Sequence, residues 1–133
     1  MEIIKTKHSI CSIGYHLIWC TKYRKPILKN IVEVELRNIF GQSCSQYNWK
    51  LRSMEIMPDH VHLFVQCDHE TAPVNIVKTL KSISAVYIFT KFPYLKGQAF
   101  WGSGLWSKGA YYSTVGHISE ELVKKYIESQ KTK

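Results

Sequence analysis

The chain has 133 residues and a formal charge of +8, from 18 lysines and arginines against 10 aspartates and glutamates. That length suits one domain spanning residues 1–133; no apolar run approaches the roughly 18–20 residues that cross a bilayer, and the opening MEIIKTKHSI lacks the continuous apolar stretch of a signal peptide. A soluble, intracellular protein is expected, and the basic excess favours a polyanionic partner, nucleic acid being the common one.

Gly14 to Thr21, GYHLIWCT, is rich in β-formers and predicts a first strand. KYRKP then turns the chain, and Asn30 stands where an N-cap would open a helix. That helix carries Val32, Leu36, Ile39, Phe40, Cys44 and Tyr47 along one face. Leu51 to Met57 and His60 to Cys67 read as two strands joined by the turn signal Pro58-Asp59. A second helix starts near Thr71-Ala-Pro73, buries Val77, Leu80, Ser84 and Tyr87, and stops at Pro93. Gly97 to Lys108 reads as an ordered loop, and Gly109 to Val115 as a last short strand. Ser119 can cap a final helix, with Ile118 and Val123 as a hydrophobic staple across its start. The order β-α-β-β-α-β plus a terminal helix predicts an α+β, ferredoxin-like (RRM-like) antiparallel sheet with two helices on one face. The other face is left for the last helix or a ligand.

The four cysteines, Cys11, Cys20, Cys44 and Cys67, form no C-x-x-C pair and read as reduced, mostly packed thiols. Basic residues interleave with aromatics in Lys22-Tyr-Arg-Lys25 and in FWGSGLWSKGAYY (Phe100 to Tyr112). Such stacking platforms beside cations suit single strands with exposed bases, although aromatics also build cores.

The stretch MPDHVHLFV (Met57 to Val65) places two imidazoles two positions apart. Strand side chains alternate, so His60 and His62 share one face while Val61, Leu63 and Val65 share the other. Such a pair can bite one metal ion; it can equally be solvent-facing or structural. On the last helix, Tyr126 and Gln130 project together, four residues apart. By spacing alone, the favoured reading puts Tyr126 in the apolar stripe with Leu122, Val123 and Ile127, and Gln130 at a solvated end. Asp59 reads as a turn cap and His16 as a structural residue of the first strand.

These residues together resemble the HUH-class single-tyrosine transposases of small, hairpin-ended insertion sequences. His60-Val61-His62 is the histidine–hydrophobic–histidine motif. The likeness extends through YHLIWCTKYRKPIL (Tyr15 to Leu28), VKTLKSIS (Val77 to Ser84), Phe92-Pro93, LWSKGAYYSTVG (Leu105 to Gly116) and YIESQ (Tyr126 to Gln130). It spans nearly the whole chain in order. Ser82, where many relatives have glycine, and Gly14, where many have asparagine, are its departures.

The resemblance implies that His60 and His62 bind a divalent metal, Mg2+ or Mn2+, with Gln130 as third protein ligand and Tyr126 as catalytic nucleophile. It implies cleavage of single-stranded DNA hairpins at insertion-sequence ends through a 5′-phosphotyrosine, then rejoining without ATP. It further implies a prokaryotic, cytoplasmic homodimer in which one subunit's tyrosine helix can serve its partner's histidines. Lys22, Arg24, Lys25, Lys81 and Lys108 are the candidate phosphate contacts. Two other readings use the same residues differently: a non-catalytic nucleic-acid-binding module of ferredoxin-like fold, and a hydrolytic metal-dependent nuclease in which water replaces the tyrosine.

Overall fold

The computed structural model describes residues 4–5, 10–11, 13–68, 70–97, 104–114 and 120–130. Two short strands, β1 (Ile4–Lys5) and β2 (Ile10–Cys11), pair with each other antiparallel. The main sheet follows: β3 (Ile13–Cys20), β4 (Lys50–Met57), β5 (His60–Cys67) and β6 (Tyr111–Thr114). Their order is β4-β5-β3-β6, antiparallel throughout. Helices α1 (Ile31–Gln46) and α2 (Pro73–Lys91) cross between the strands, followed by a one-turn α3 (Pro93–Leu95), and α4 (Glu120–Ser129) comes last. This is the ferredoxin-like α+β arrangement expected from the element order. Among the described residues, no helix is long and apolar enough to cross a membrane.

The period of two in β3 and β5 decides which face is core. Leu17, Trp19, Val61, Leu63 and Val65 are fully buried and meet Leu36 and Phe40 of α1 and Ile76, Leu80 and Ile88 of α2 in one cluster. Fully burying each such aliphatic side chain contributes about 1.5–3 kcal/mol, so Leu63→Ala would cost ~2–5 kcal/mol, cavity included. Trp19 anchors the layer edge-on to Phe40 and Trp106, with ring centroids at 5.7 and 5.8 Å. Trp106 Nε1 donates to Ser84 Oγ at 2.9 Å, which explains why a serine sits inside the α2 stripe. Cys20, Cys44 and Cys67 are buried thiols.

Three local expectations are corrected. Asn30 occupies the N-cap position of α1, but its side chain makes no capping bond. Its φ of 57° and ψ of −129° lie at positive φ but outside the left-handed helical region, and its carbonyl accepts the Val34 N–H at 3.2 Å. Tyr47 leaves the buried stripe: it lies just past α1 and stacks on Trp49 at 4.9 Å. Tyr87 is only half-buried, because its hydroxyl reaches out to Glu35 Oε1 at 2.7 Å. Ser119 and Ile118, the proposed cap and staple, lie outside the described residues, as do Val115 and residues 98–103 of the Gly97–Lys108 loop.

Candidate active site on the open sheet face

The pairing register builds the site. Across β3 and β5, Cys20 faces His60, Ile18 faces His62 and His16 faces Phe64. Directly paired residues of antiparallel strands point to the same side, so the two motif histidines share the face opposite the core with His16, Ile18 and Cys20. On the other flank of β5, Glu55 faces His62 and Met57 faces His60. Tyr111 and Ser113 of β6 pair with Ile18 and His16. Helix α4 lies over β3 on this face, and between it and the hairpin is a cleft of about 520 Å³. Arg24, Glu55, His62, Val123, Lys124, Ile127 and Glu128 line it.

Each histidine is held by a different partner. His60 Nδ1 lies 2.8 Å from Asp59 Oδ1. A carboxylate only accepts, so Nδ1 carries the proton and the Nε2 lone pair remains available. The other carboxylate oxygen, Oδ2, accepts from Arg24 Nε and Nη2, each at 2.9 Å. Burial pushes the Asp59 carboxyl up, but hydrogen bonds from His60 and Arg24, with their charges, outweigh it and hold Asp59 below the usual carboxylate range. His62 Nε2 lies 3.1 Å from His16 Nδ1, so one of the two rings donates to the other. Burial lowers the His62 pKa, and the neighbouring His16 and His60 add to this against the Glu55 carboxylate. His16 is itself lowered by burial and stacks on Phe64 at 4.8 Å.

The side chains of α4 divide by helical spacing. Val123 and Ile127, with Lys124 and Glu128, face the His62 cleft. Tyr126 and Gln130 face the β3–β6 side instead. The Tyr126 ring sits 6.4 Å from that of Tyr111, and its Oη is buried and makes no well-formed hydrogen bond, only a weak contact with the Cys20 backbone. Burial drives its pKa well above the ordinary tyrosine value; the Cys20 thiol adds to this, and the Cys20 backbone offsets part of it. Gln130 is buried rather than frayed, its Oε1 accepting from Ser107 Oγ at 2.5 Å. Ser107 N–H in turn donates to Cys20 O at 2.9 Å. Cys20 therefore lies between the Gln130 side and His60, two strand spacings or roughly 10 Å across the sheet. The structure brings His60 and His62 together, and it holds Tyr126 and Gln130 on the same face but one to two strands away.

The candidate phosphate contacts have unequal surroundings. Lys25 and Lys108 are exposed, and Lys22 lies over the Tyr23 ring at 5.3 Å. Arg24 is committed to Asp59. Lys81 donates to Ser107 O at 2.8 Å and Gly109 O at 2.5 Å, holding the segment that receives Gln130; burial lowers its pKa to about 8. Asp59, His16, Glu55 and Ser107 were not assigned site roles from sequence. His16 enters through the β3–β5 register, Glu55 through the β4–β5 register, Asp59 through Arg24 and Ser107 through Gln130, contacts that only folding supplies.

The sequence profile of IS200-like transposases matches residues 9–130. The ISDra2 transposase TnpA of Deinococcus radiodurans is 37% identical over 133 residues, covering all of this chain and 94% of its own. An IS200 transposase of Salmonella typhimurium is 23% identical over 92% of this chain and 80% of that one. A crystal structure of a candidate transposase from Deinococcus radiodurans superposes with a TM-score of 0.86 at 35% identity, covering 96% of this chain and 97% of the other. A REP-associated tyrosine transposase bound to a REP hairpin shares the fold, with a TM-score of 0.58 at 13% identity over 97% of this chain and 68% of the other. Paired histidines on an open sheet, the tyrosine helix beside them on the same face and a family match across almost the whole chain lead to one conclusion: this protein belongs to the IS200-like family of single-tyrosine, HUH-class transposases.

Proposed function

We propose that the protein cleaves and rejoins single-stranded DNA at hairpin-forming insertion-sequence ends, with Tyr126 as nucleophile and a divalent metal at His60 and His62. One observation carries this reading: the two histidines and the helix bearing Tyr126 share an open sheet face, where His62 and that helix line one cleft. The donor chemistry fits a metal. His60 offers an Nε2 lone pair because Asp59 occupies Nδ1. Two imidazoles with an amide oxygen suit Mn2+, and Mg2+ where substrate oxygens complete the shell. Gln130, the third ligand that the family resemblance implies, is bonded to Ser107 in this arrangement. When bound, the ion would polarise the scissile phosphate and offset charge developing at phosphorus.

The chain's own groups set what must move. A buried, protonated phenol is a poor nucleophile, so the present packing of Tyr126 corresponds to a resting arrangement. Ile127 lines the cleft and Tyr126 is its neighbour. Turning α4 by about one residue, ~100°, would bring Tyr126 to the cleft and carry Ile127 out of it. The same motion would free Gln130 from Ser107 and let it approach the histidines. His62 offers Nδ1 where its Nε2 donates to His16, or Nε2 once His16 turns away. Tyr126 Oη then attacks phosphorus, forming a 5′-phosphotyrosine and releasing a 3′-hydroxyl; attack by another 3′-hydroxyl restores the phenol and completes strand transfer. The basic surface, including Lys22, Lys25 and Lys108, supplies salt-sensitive phosphate contacts. The reading includes a homodimer, in which α4 of one subunit can serve the histidines of its partner.

The test is incubation with hairpin-forming single-stranded DNA and Mn2+, followed by a denaturing gel. The reading predicts a protein–DNA adduct that Tyr126→Phe abolishes and Tyr87→Phe retains. Cleavage surviving Tyr126→Phe would indicate a hydrolytic nuclease, and DNA binding with no adduct under any metal condition a non-catalytic module.

A further inference from the structure

The Pro58-Asp59 turn is fastened more firmly than a hairpin connection requires. The Asp59 carbonyl accepts from Thr21 N–H at 3.0 Å and Thr21 Oγ1 at 3.3 Å, and the Pro58 carbonyl accepts from Leu28 N–H at 2.9 Å. Across from it, Lys22–Arg24 forms a single 3-10 turn in which Tyr23 and Arg24 adopt φ of 56° and 52°. Two consecutive non-glycine residues in the left-handed region are strained, and such strain persists where surrounding contacts over-determine it. Here its result is specific: the Arg24 guanidinium closes on Asp59 Oδ2 through two nitrogens, leaving Oδ1 to His60 Nδ1. Both Arg24 and Asp59 side chains are 20% exposed, so the pair is largely shielded from competing water. His62, by contrast, has another imidazole and not a carboxylate as its partner.

We propose that Asp59, clamped by Arg24, is a positioning residue that fixes the His60 ring and tautomer so that Nε2 is presented for metal ligation. The proposal rests on the metal reading given above. A carboxylate behind a ligating histidine orients the ring and raises its basicity, and its loss typically weakens metal binding 10–100-fold. Arg24 thereby acts through Asp59 rather than as a phosphate contact. The left-handed turn of Lys22–Arg24 becomes part of the metal site, although none of its atoms would touch the ion.

Two measurements test this. Long-range 15N NMR of the metal-free wild type should show His60 as the Nδ1–H tautomer, and Asp59→Ala should release it toward Nε2–H. Calorimetric Mn2+ titration should show a 10–100-fold weaker affinity in Asp59→Ala, a smaller loss in Arg24→Met, and hairpin-DNA affinity within about threefold of wild type for Asp59→Ala. A purely structural turn would lower Tm without changing Mn2+ affinity. An Nε2–H tautomer at His60 in the wild type would overturn the proposal even if Asp59→Ala fails to fold. So would a folded Asp59→Ala binding Mn2+ within twofold of wild type while His60→Ala binds weakly. Equal Mn2+ binding by wild type and His60→Ala would overturn the metal reading beneath the proposal, and the proposal with it.

Discussion

Replacing Tyr126 with phenylalanine should make the protein more stable while removing its chemistry. The Oη of Tyr126 is buried and makes no well-formed hydrogen bond, its contact with the Cys20 backbone being weak. Burying a hydroxyl without a partner costs about 1–3 kcal/mol in protein mutational data; the ring is only partly covered, so the low end, ~1 kcal/mol, applies. Unfolding entropy near 2.1 cal/mol/K per residue, over 133 residues, is on the order of 0.28 kcal/mol/K, so Tm should rise by roughly 3–4 °C. A pH signature accompanies it. Burial raises the folded-state pKa of Tyr126 above the ordinary tyrosine value near 10. Above that pH the unfolded chain loses a proton that the folded chain keeps. Wild-type stability therefore falls as pH climbs past 10, and that component vanishes in Tyr126→Phe. Urea denaturation at pH 7 and pH 10.5, with calorimetry for Tm, measures both effects. A Tyr126→Phe protein destabilised by more than ~1 kcal/mol would mean the hydroxyl has a stabilising partner, refuting the resting-state argument. Tyr87→Phe is the opposite control: it removes the bond to Glu35 and should lower stability while leaving adduct formation intact.

The remaining expectations concern the histidine pair, the tail glutamine and the buried lysine. His62→Ala should lose DNA cleavage in Mn2+ while keeping hairpin binding within a few-fold in a mobility-shift assay, because metal ligands and phosphate contacts are separable. Gln130→Ala should cost ~1–3 kcal/mol by leaving Ser107 Oγ without its buried acceptor. A double-mutant cycle with Ser107→Ala should return a coupling of ~1 kcal/mol, and zero coupling would dismiss the contact. For Lys81, burial lowers the folded pKa to about 8 from 10.5. Between those values the unfolded chain holds a proton that the folded chain has released, so stability rises with pH across that window. Lys81→Met should flatten the rise in a urea series from pH 7.5 to 10.5.

How much of this was written in the sequence depends on which contacts set each feature. The alternation in HVHLFV is a local, period-two pattern, so the apolar face of β5 and the shared face of His60 and His62 could be read directly. Proline at the first turn of α2 and the Pro58-Asp59 turn are equally local. The partners of the histidines were hidden, because His16 meets His62 only through the β3–β5 register and a one-residue slip would send it to the core face. Asp59 resembled an ordinary turn cap because its real partner, Arg24, is delivered by a left-handed kink that no propensity favours. Gln130 resembled a frayed end because last-turn polar residues usually meet water. Its burial depends on Ser107, held by Lys81 from a different helix. Lys81 therefore has a structural task that charge alone, read from the sequence, would have assigned to phosphate.

The central claim is most directly tested by trapping the protein on a hairpin-bearing single strand with Mn2+, digesting it, and mapping the modified peptide by mass spectrometry. The account predicts one phosphodeoxyribonucleotide, attached through its 5′-phosphate to Tyr126 and missing when His60 is alanine. A nucleotide on any other residue, or adduct yield indifferent to His60, would contradict it.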